Sequence, residues 1–176
     1  YSPAITDFIF MAESSSYMFV TGPEVIKTVT HEEVTKEDLG GAHTHASKSG
    51  VCHFEYPNEI ATINGVRELI SYIPSNNIDG SPVIECTDDV SRACDKIKSI
   101  IPDNAKKPYD MRTLIADVVD DGKFMEVHRE YAGNIVVGFS RIGGQTVGVV
   151  GNQPQILAGC LDINASVKGA RFVRFC

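Results

Sequence analysis

Between residues 110 and 119 the apolar positions Met111, Leu114, Ile115, Val118 and Val119 fall at i, i+3, i+4, i+7 and i+8, the stripe of an amphipathic helix. Asp110 stands where an N-cap is needed, and Gly122 supplies the stop. A second helix is expected over 58–73, with Ile60, Ile63, Leu69, Ile70 and Ile73 mostly on one face and Pro74 ending it. Over 134–141 the period changes. Ile135, Val137 and Phe139 alternate as in a strand, Gly143-Gly144 turns it, and 145–150 returns as its hairpin partner. A polar turn, Gly151-Asn152-Gln153-Pro154, and a corner at Gly159-Cys160 follow. The last helix is expected from Asp162 onward, burying Ile163, Val167, Ala170 and Val173.

The first half is patterned less clearly. Residues 1–11 read as a helix with Pro3 in its first turn, and 17–20 as a short strand. Pro23 fits the first position of a helix over 24–29, and a further short turn at 35–38 is stopped by Gly40-Gly41. Asn, Asp, Ser, Pro and Lys are over-supplied in 75–108, which reads as a surface connector with a short helix near 90–100. The chain opens without methionine and closes inside a helical pattern, which reads as an internal piece of a longer polypeptide.

Composition narrows the class. With 43% hydrophobic and 22% charged residues, the 176-residue chain is of ordinary globular type. It holds no run near the roughly 18 apolar residues of a membrane helix, so direct membrane insertion is not expected. A net charge of −7 argues against a nucleic-acid groove. Five cysteines without a C-x-x-C pair suit a reducing compartment, and Cys160 is expected to be a small buried thiol rather than a nucleophile.

Candidate chemistry concentrates late in the chain. A strand, a polar turn and a helix start in succession suit backbone amides facing an anionic ligand oxygen. Gly151, Asn152, Gln153, Pro154, Ala158, Gly159 and Cys160 are therefore ligand-contact candidates; the alternative is that they only turn and pack the chain. Gly40 and Gly41 are a second pair, the alternative being a helix C-cap. His43 and His45, with Cys52 and His53 downstream, do not make the convergent set that zinc needs, and no metal is expected. Lys168, Arg171 and Arg174 read as a solvated helix face, with a phosphate or acidic neighbour as the other possibility. Asp7 is not expected to be a general base.

The blocks Y-S-P-A-I-T-D-F (1–8), S-Y-M-F-V-T-G-P (16–23), E-D-L-G-G-A-H-T-H (37–45), K-P-Y-D-M-R (107–112), N-I-V-V-G-F-S-R (134–141) and the run from G-N-Q-P (151–154) to R-F-V-R-F-C (171–176) carry a resemblance. In them the chain resembles the carboxyltransferase (beta) subunits of the biotin-dependent acyl-CoA carboxylases, propionyl-CoA carboxylase above all. Methylmalonyl-CoA decarboxylase alpha subunits of biotin-linked sodium pumps share the same blocks. The resemblance implies an α/β, crotonase-like (ClpP/crotonase) spiral of β-β-α units, with parts of two tandem domains: 1–74 in the amino-terminal domain, 75–109 as connector, 110–176 in the carboxy-terminal domain. It implies carboxyl transfer from carboxybiotin, carried on a partner, to propionyl-CoA or a similar short acyl-CoA. No covalently bound cofactor is implied. It also implies a biotin carboxylase and biotin carrier as partners, a homo-hexamer, and an acyl-CoA groove lined from about Lys123 to Ile156. The compartment would be the mitochondrial matrix in a eukaryote and the cytoplasm in a bacterium. The two principal oxyanion holes would lie before Tyr1 and beyond Cys176, so the segment alone would be inactive. Three readings stay open: carboxylase, decarboxylase, and an inactive structural piece of a larger assembly.

Overall fold

Two short parallel strands, β1 (Phe10–Ala12) and β2 (Phe54–Tyr56), organise the first part of the computed structural model. The structure describes residues 2–89, 91–104 and 106–176; Tyr1 and Val90, at the starts of two expected helices, lie outside the described residues. It divides into two compact units, residues 1–67 with 128–131 and residues 68–127 with 132–176.

In the first unit Phe10 faces Phe54 across the strand pair, their rings stacked at 4.5 Å, an aromatic cross-strand contact that fixes the register. Ile9, Met11, Ala42, Ala46 and Cys52 form the core beneath, with Met18 and Val51 against it. Burial pushes the Cys52 thiol up to about 11, so it is an apolar filler. The segment expected as an opening helix instead gives a single 3-10 turn, Pro3–Ile5, and then β1. The expected strand at 17–20 reduces to a single bridge between Tyr17 and Gly41, and Val20 is exposed. Helix α1 (Pro23–Thr30) starts on Pro23 as expected. Helix α2 (Lys36–Gly40) is capped by the Thr35 hydroxyl, which accepts from Asp38 N–H. Helix α3 (Ala42–Thr44) runs into a π-helical turn, His45–Ser49.

Helix α4 (Glu59–Tyr72) forms where the apolar period placed it, and the division between the units falls within it. Its buried residues correct the expected face. Ile60, Ile63 and Ile70 are exposed, whereas Leu69 and Tyr72 are buried and Gly65 lies against the Tyr56 ring.

The second unit is built on an antiparallel sheet, β3 (Met125–Val127), β4 (Ile135–Ile142) and β5 (Gln145–Asn152), in the order β3-β4-β5. Gly143 and Gly144 take φ of 61° and 79° at the β4–β5 turn, which glycine reaches without steric cost. A short helix, α5 (Ile97–Ile100), stands in the connector, and Asp110 caps α6 (Met111–Val118) by accepting from Arg112 N–H. Helix α6 packs Ile115, with Val119 just beyond its end, onto Val136, joined by Met111, Phe124 and Val149. It stops before Gly122, because Val119 is already extended. The opposite sheet face is covered by α7 (Ile163–Phe175), whose Phe172 ring lies 5.0 Å from that of Phe139. With both faces covered, β4 is buried continuously from Ile135 to Ser140.

The buried residues of α7 are Ala165, Lys168, Gly169 and Phe172. The expected stripe of Ile163, Val167, Ala170 and Val173 is exposed instead. Small residues decide which stripe docks: Gly169 lets the helix approach until a Cβ there would sit 3.0 Å from Ile135 Cδ1. No helix among the described residues is long and apolar enough to cross a membrane.

Asp120 ties the hairpin turn down, accepting from Gly144 N–H at 2.7 Å and Gly143 N–H at 3.0 Å. The Gly144 amide above all, with that of Gly143, holds its carboxyl below the usual carboxylate range. A depressed folded value stabilises fully above the unfolded value, about 3.9, and the contribution disappears as pH falls through the folded one. The stability gap between the protein and Asp120→Asn should therefore hold constant above about pH 5 and narrow as pH falls below about 4 in urea titrations. A gap that does not change with pH would count against this role.

Candidate functional site

β5 extends through Gly151 and Asn152, which pair with Val136 and Ile135, so the expected polar turn begins only at Gln153. Gly151 is constrained by packing, since a Cβ there would sit 2.9 Å from Met111 Cγ. Gln153 is fully buried. Its Nε2 donates to Asp110 Oδ1 (2.6 Å), its Oε1 accepts from Met111 N–H (3.1 Å), and its own N–H donates to the Asn134 carbonyl (2.9 Å). It thus joins the end of β5 to the start of α6.

Beyond Pro154 the chain enters a 3-10 turn, Leu157–Gly159, in which Leu157, Ala158 and Gly159 take φ of 49°, 52° and 74°. Leu157 and Ala158 hold a left-handed conformation that costs non-glycine residues of order 1–2 kcal/mol each, so the surroundings must impose it. They do so by hydrogen bonds. Asn152 Nδ2 donates to the Gly159 carbonyl at 2.7 Å, and Asn134 Nδ2 to the Cys160 carbonyl at 2.8 Å. Asp162 accepts from Asn134 Nδ2 (3.3 Å) and caps α7 through Ala165 N–H (2.8 Å). The Ala165 amide first, and Asn134 after it, hold the Asp162 carboxyl below the usual range.

The outcome is a loop, 153–160, braced from within and apolar without: Ile156 and Leu157 are exposed at 41% and 62%. Asn152, Ala158 and Cys160 also reach the surface, while Gln153 and Gly159 do not. Cys160 departs from the expected buried thiol. It is exposed, and the fold uses its carbonyl.

Lys168 corrects another expectation. It is 2% exposed, with Nζ 3.4 Å from the Ala132 carbonyl, because the stripe of α7 facing the sheet carries it inward. Arg171 and Arg174 are exposed. Asn134, Asp162 and Lys168 work through partners 26 to 36 residues away, and spacing alone carries no signal of that.

The second candidate pair lies in the first unit and is described by itself. Gly41 N–H donates to the Glu37 carbonyl (2.9 Å), and the Gly40 carbonyl accepts from Met18 N–H (2.8 Å). Gly41 closes α2 with φ −70°, an extended residue rather than a left-handed cap. His45 Nε2 donates to the Met18 carbonyl (2.6 Å) and its Nδ1 accepts from Ser49 Oγ (2.8 Å), while exposed His43 lies 3.3 Å from Glu55. His53 and His128 are buried with ring centroids 4.1 Å apart, and His53 Nδ1 accepts from Ile9 N–H. Among the described residues no group of three or more His, Cys, Asp or Glu side chains is placed to hold a metal ion.

Comparison with known proteins covers the whole chain. The profile of the carboxyl transferase domain matches residues 1–176. The carboxyltransferase subunit of propionyl-CoA carboxylase from Haloferax mediterranei is 53% identical over all of this chain and 34% of its own length. Methylmalonyl-CoA decarboxylase subunit alpha from Veillonella parvula is also 53% identical, over all of this chain and 35% of its own. Among solved structures the transcarboxylase 12S hexamer, with hydrolysed methylmalonyl-coenzyme A bound, superposes with a TM-score of 0.95 at 46% identity, over all of this chain and 34% of that one. The chain therefore spans about a third of the length of these relatives, and its α/β architecture is the crotonase-like fold of the carboxyltransferases.

Proposed function

Because the chain belongs to the carboxyl transferase domain family, we propose that it forms part of an enzyme that moves a carboxylate from carboxybiotin to propionyl-CoA or a similar short acyl-CoA, yielding methylmalonyl-CoA. The observation that carries this is the superposition, over its whole length, on a transcarboxylase that holds hydrolysed methylmalonyl-coenzyme A. Biotin, borne on a partner subunit, supplies the carboxylate in labile N-linked form. The residues present suit a thioester ligand in one respect. Ile156 and Leu157 offer apolar surface on a loop whose conformation is already fixed, so ordering it on binding costs little.

In this reading the loop 153–160 flanks the acyl-CoA. Asn152, Pro154, Ala158 and Cys160 line its surface, Gly151, Gln153 and Gly159 hold its shape from within, and Gly40 and Gly41 serve the packing of the first unit. Residues 1–74 would close an amino-terminal carboxyltransferase domain, 75–109 would connect, and 110–176 would open a carboxy-terminal one. The assembled protein would be a hexamer working with a biotin carboxylase and carrier subunit, in the mitochondrial matrix of a eukaryote or the cytoplasm of a bacterium. The 53% identity to the Veillonella decarboxylase subunit supports a second reading, the reverse direction from methylmalonyl-CoA.

The test uses the full-length polypeptide that contains this chain. Labelled carboxylate should pass from biotinylated carrier to propionyl-CoA, and propionyl-CoA should slow amide exchange over 153–160. Absence of transfer in both directions would overturn the activity, and unchanged exchange would remove the loop from the site.

A further inference from the structure

Asn134 is 2% exposed and stands at the entry to β4, outside the residues that spacing brings forward as ligand contacts. It grips both ends of the left-handed loop. At the start, its carbonyl accepts from Gln153 N–H at 2.9 Å. At the end, its Nδ2 donates to the Cys160 carbonyl at 2.8 Å and to Asp162 Oδ1 at 3.3 Å. Between these points lie the three consecutive residues of positive φ, Leu157, Ala158 and Gly159. A loop that holds non-glycine residues in that region must be clamped at its ends or it relaxes.

We propose that Asn134 is a positioning residue for carboxyl transfer: its carboxamide sets the left-handed loop 153–160 in the geometry that receives the acyl-CoA. This rests on the reading of the loop as the acyl-CoA flank. The side-chain chemistry is specific. Both acceptors facing Nδ2 are oxygens, one of them the carboxylate that caps α7, so only a donor satisfies them. An aspartate at 134 has the same shape but turns two attractions into repulsions, with a buried charge added. Leucine, of similar volume, removes the donor without adding charge. Asp162 can become asparagine and still cap the helix, because asparagine ranks with aspartate at an N-cap. The oxygen that faces Asn134 is the one that caps α7, so asparagine at 162 keeps it as an acceptor and offers no donor to an aspartate at 134.

The experiment compares the full-length protein with Asn134→Asp, Asp162→Asn and the double variant Asn134→Asp/Asp162→Asn. Its readouts are amide exchange over 153–160 and the separate kcat and KM for propionyl-CoA. Asn134→Asp should speed exchange in the loop and raise KM for the acyl-CoA by about tenfold, the factor that corresponds to one charge-assisted hydrogen bond. KM for the biotinylated carrier should stay within about twofold. Asp162→Asn alone should stay close to the unmodified protein, and the double variant should recover little, because the Cys160 carbonyl still faces a carboxylate. General destabilisation does not produce a selective change in one KM. If Asn134→Asp does not fold, Asn134→Leu and Asn152→Ala, which frees the Gly159 carbonyl, take its place with the same readouts.

Unchanged exchange over 153–160 in Asn134→Asp overturns the positioning role and leaves the reading of the loop intact. Faster exchange with both KM values unchanged overturns the proposal through that reading, since a loosened loop then makes no difference to the acyl-CoA. Faster exchange with a selective rise in the KM for the acyl-CoA is the result expected.

Discussion

Gly40→Ala is expected to cost the protein at least about 3 kcal/mol, while Gly80→Ala leaves it unchanged. A Cβ at position 40 would overlap the Met18 carbonyl oxygen and sit 2.9 Å from both the Met18 carbonyl carbon and Phe19 Cδ1. The Phe19 ring can turn aside, but the Met18 carbonyl cannot. It accepts from His45 Nε2, and the Met18 N–H is bound to the Gly40 carbonyl itself, so any shift breaks contacts on both sides. Gly80 has nothing within 4 Å of the added carbon. Domains of this size carry a net stability of about 5–15 kcal/mol, so the first change removes a large fraction of it. Urea unfolding of the full-length protein and the two variants reads the difference. A Gly40→Ala midpoint equal to that of Gly80→Ala would mean that the close approach does not constrain the backbone.

That glycine also shows which kinds of information the amino-acid sequence carries. Where a cap, a period and a stop act within one turn, the reading is direct: Asp110 with the Met111–Val118 helix, Pro23 at the head of α1, and Gly143-Gly144 between two strands. Where an element has apolar residues on two faces, the period cannot say which face docks. On α7 the larger residues Ile163, Val167 and Val173 suggested the buried side, yet Ala165 and Gly169 face the sheet, because small residues allow the helix to come close. The same holds on α4, where Gly65 meets Tyr56 and the isoleucines Ile60, Ile63 and Ile70 stay outside. Strand β1 was hidden for a different reason. Three residues are too few to show alternation, and its pairing partner lies 44 residues away. In the candidate segment, composition was legible but arrangement was not. Residues 151–160 stood out by their glycines and Asn-Gln-Pro, whereas burial of Gln153 and Lys168 and the two-ended grip of Asn134 depend on chain segments that only folding brings together.

The support of that segment leads to the other large effect, at Glu126. Arg112, on the first turn of α6, donates from Nε and Nη2 to the two oxygens of Glu126 on β3, both at 2.7 Å. The Glu126 side chain is 6% exposed and that of Arg112 24%. Arg112 N–H also donates to Asp110 Oδ1, which accepts from Gln153 Nε2, so the pair belongs to a network reaching the start of the left-handed loop. Removing one member of a buried pair leaves the other charge uncompensated and costs about 3–5 kcal/mol; with Arg112 partly in water and still 3.8 Å from the Asp110 carboxylate, about 2 kcal/mol is expected for Glu126→Ala. Replacing both partners by apolar residues of similar size, Arg112→Met with Glu126→Leu, should restore most of it, because desolvation of the two ions disappears together with their attraction. Two effects then separate. Stability measured by urea unfolding should fall in the single variant and recover in the double. Loop exchange over 153–160 should rise in the single variant and recover with it, provided the network transmits the loss through Asp110 and Gln153. Loss of stability without faster loop exchange would confine the Arg112–Glu126 pair to the joint between α6 and β3. A single variant as stable as the unmodified protein would show that solvent already screens the pair, and that the loop is held by Asn134 and Asn152 without it.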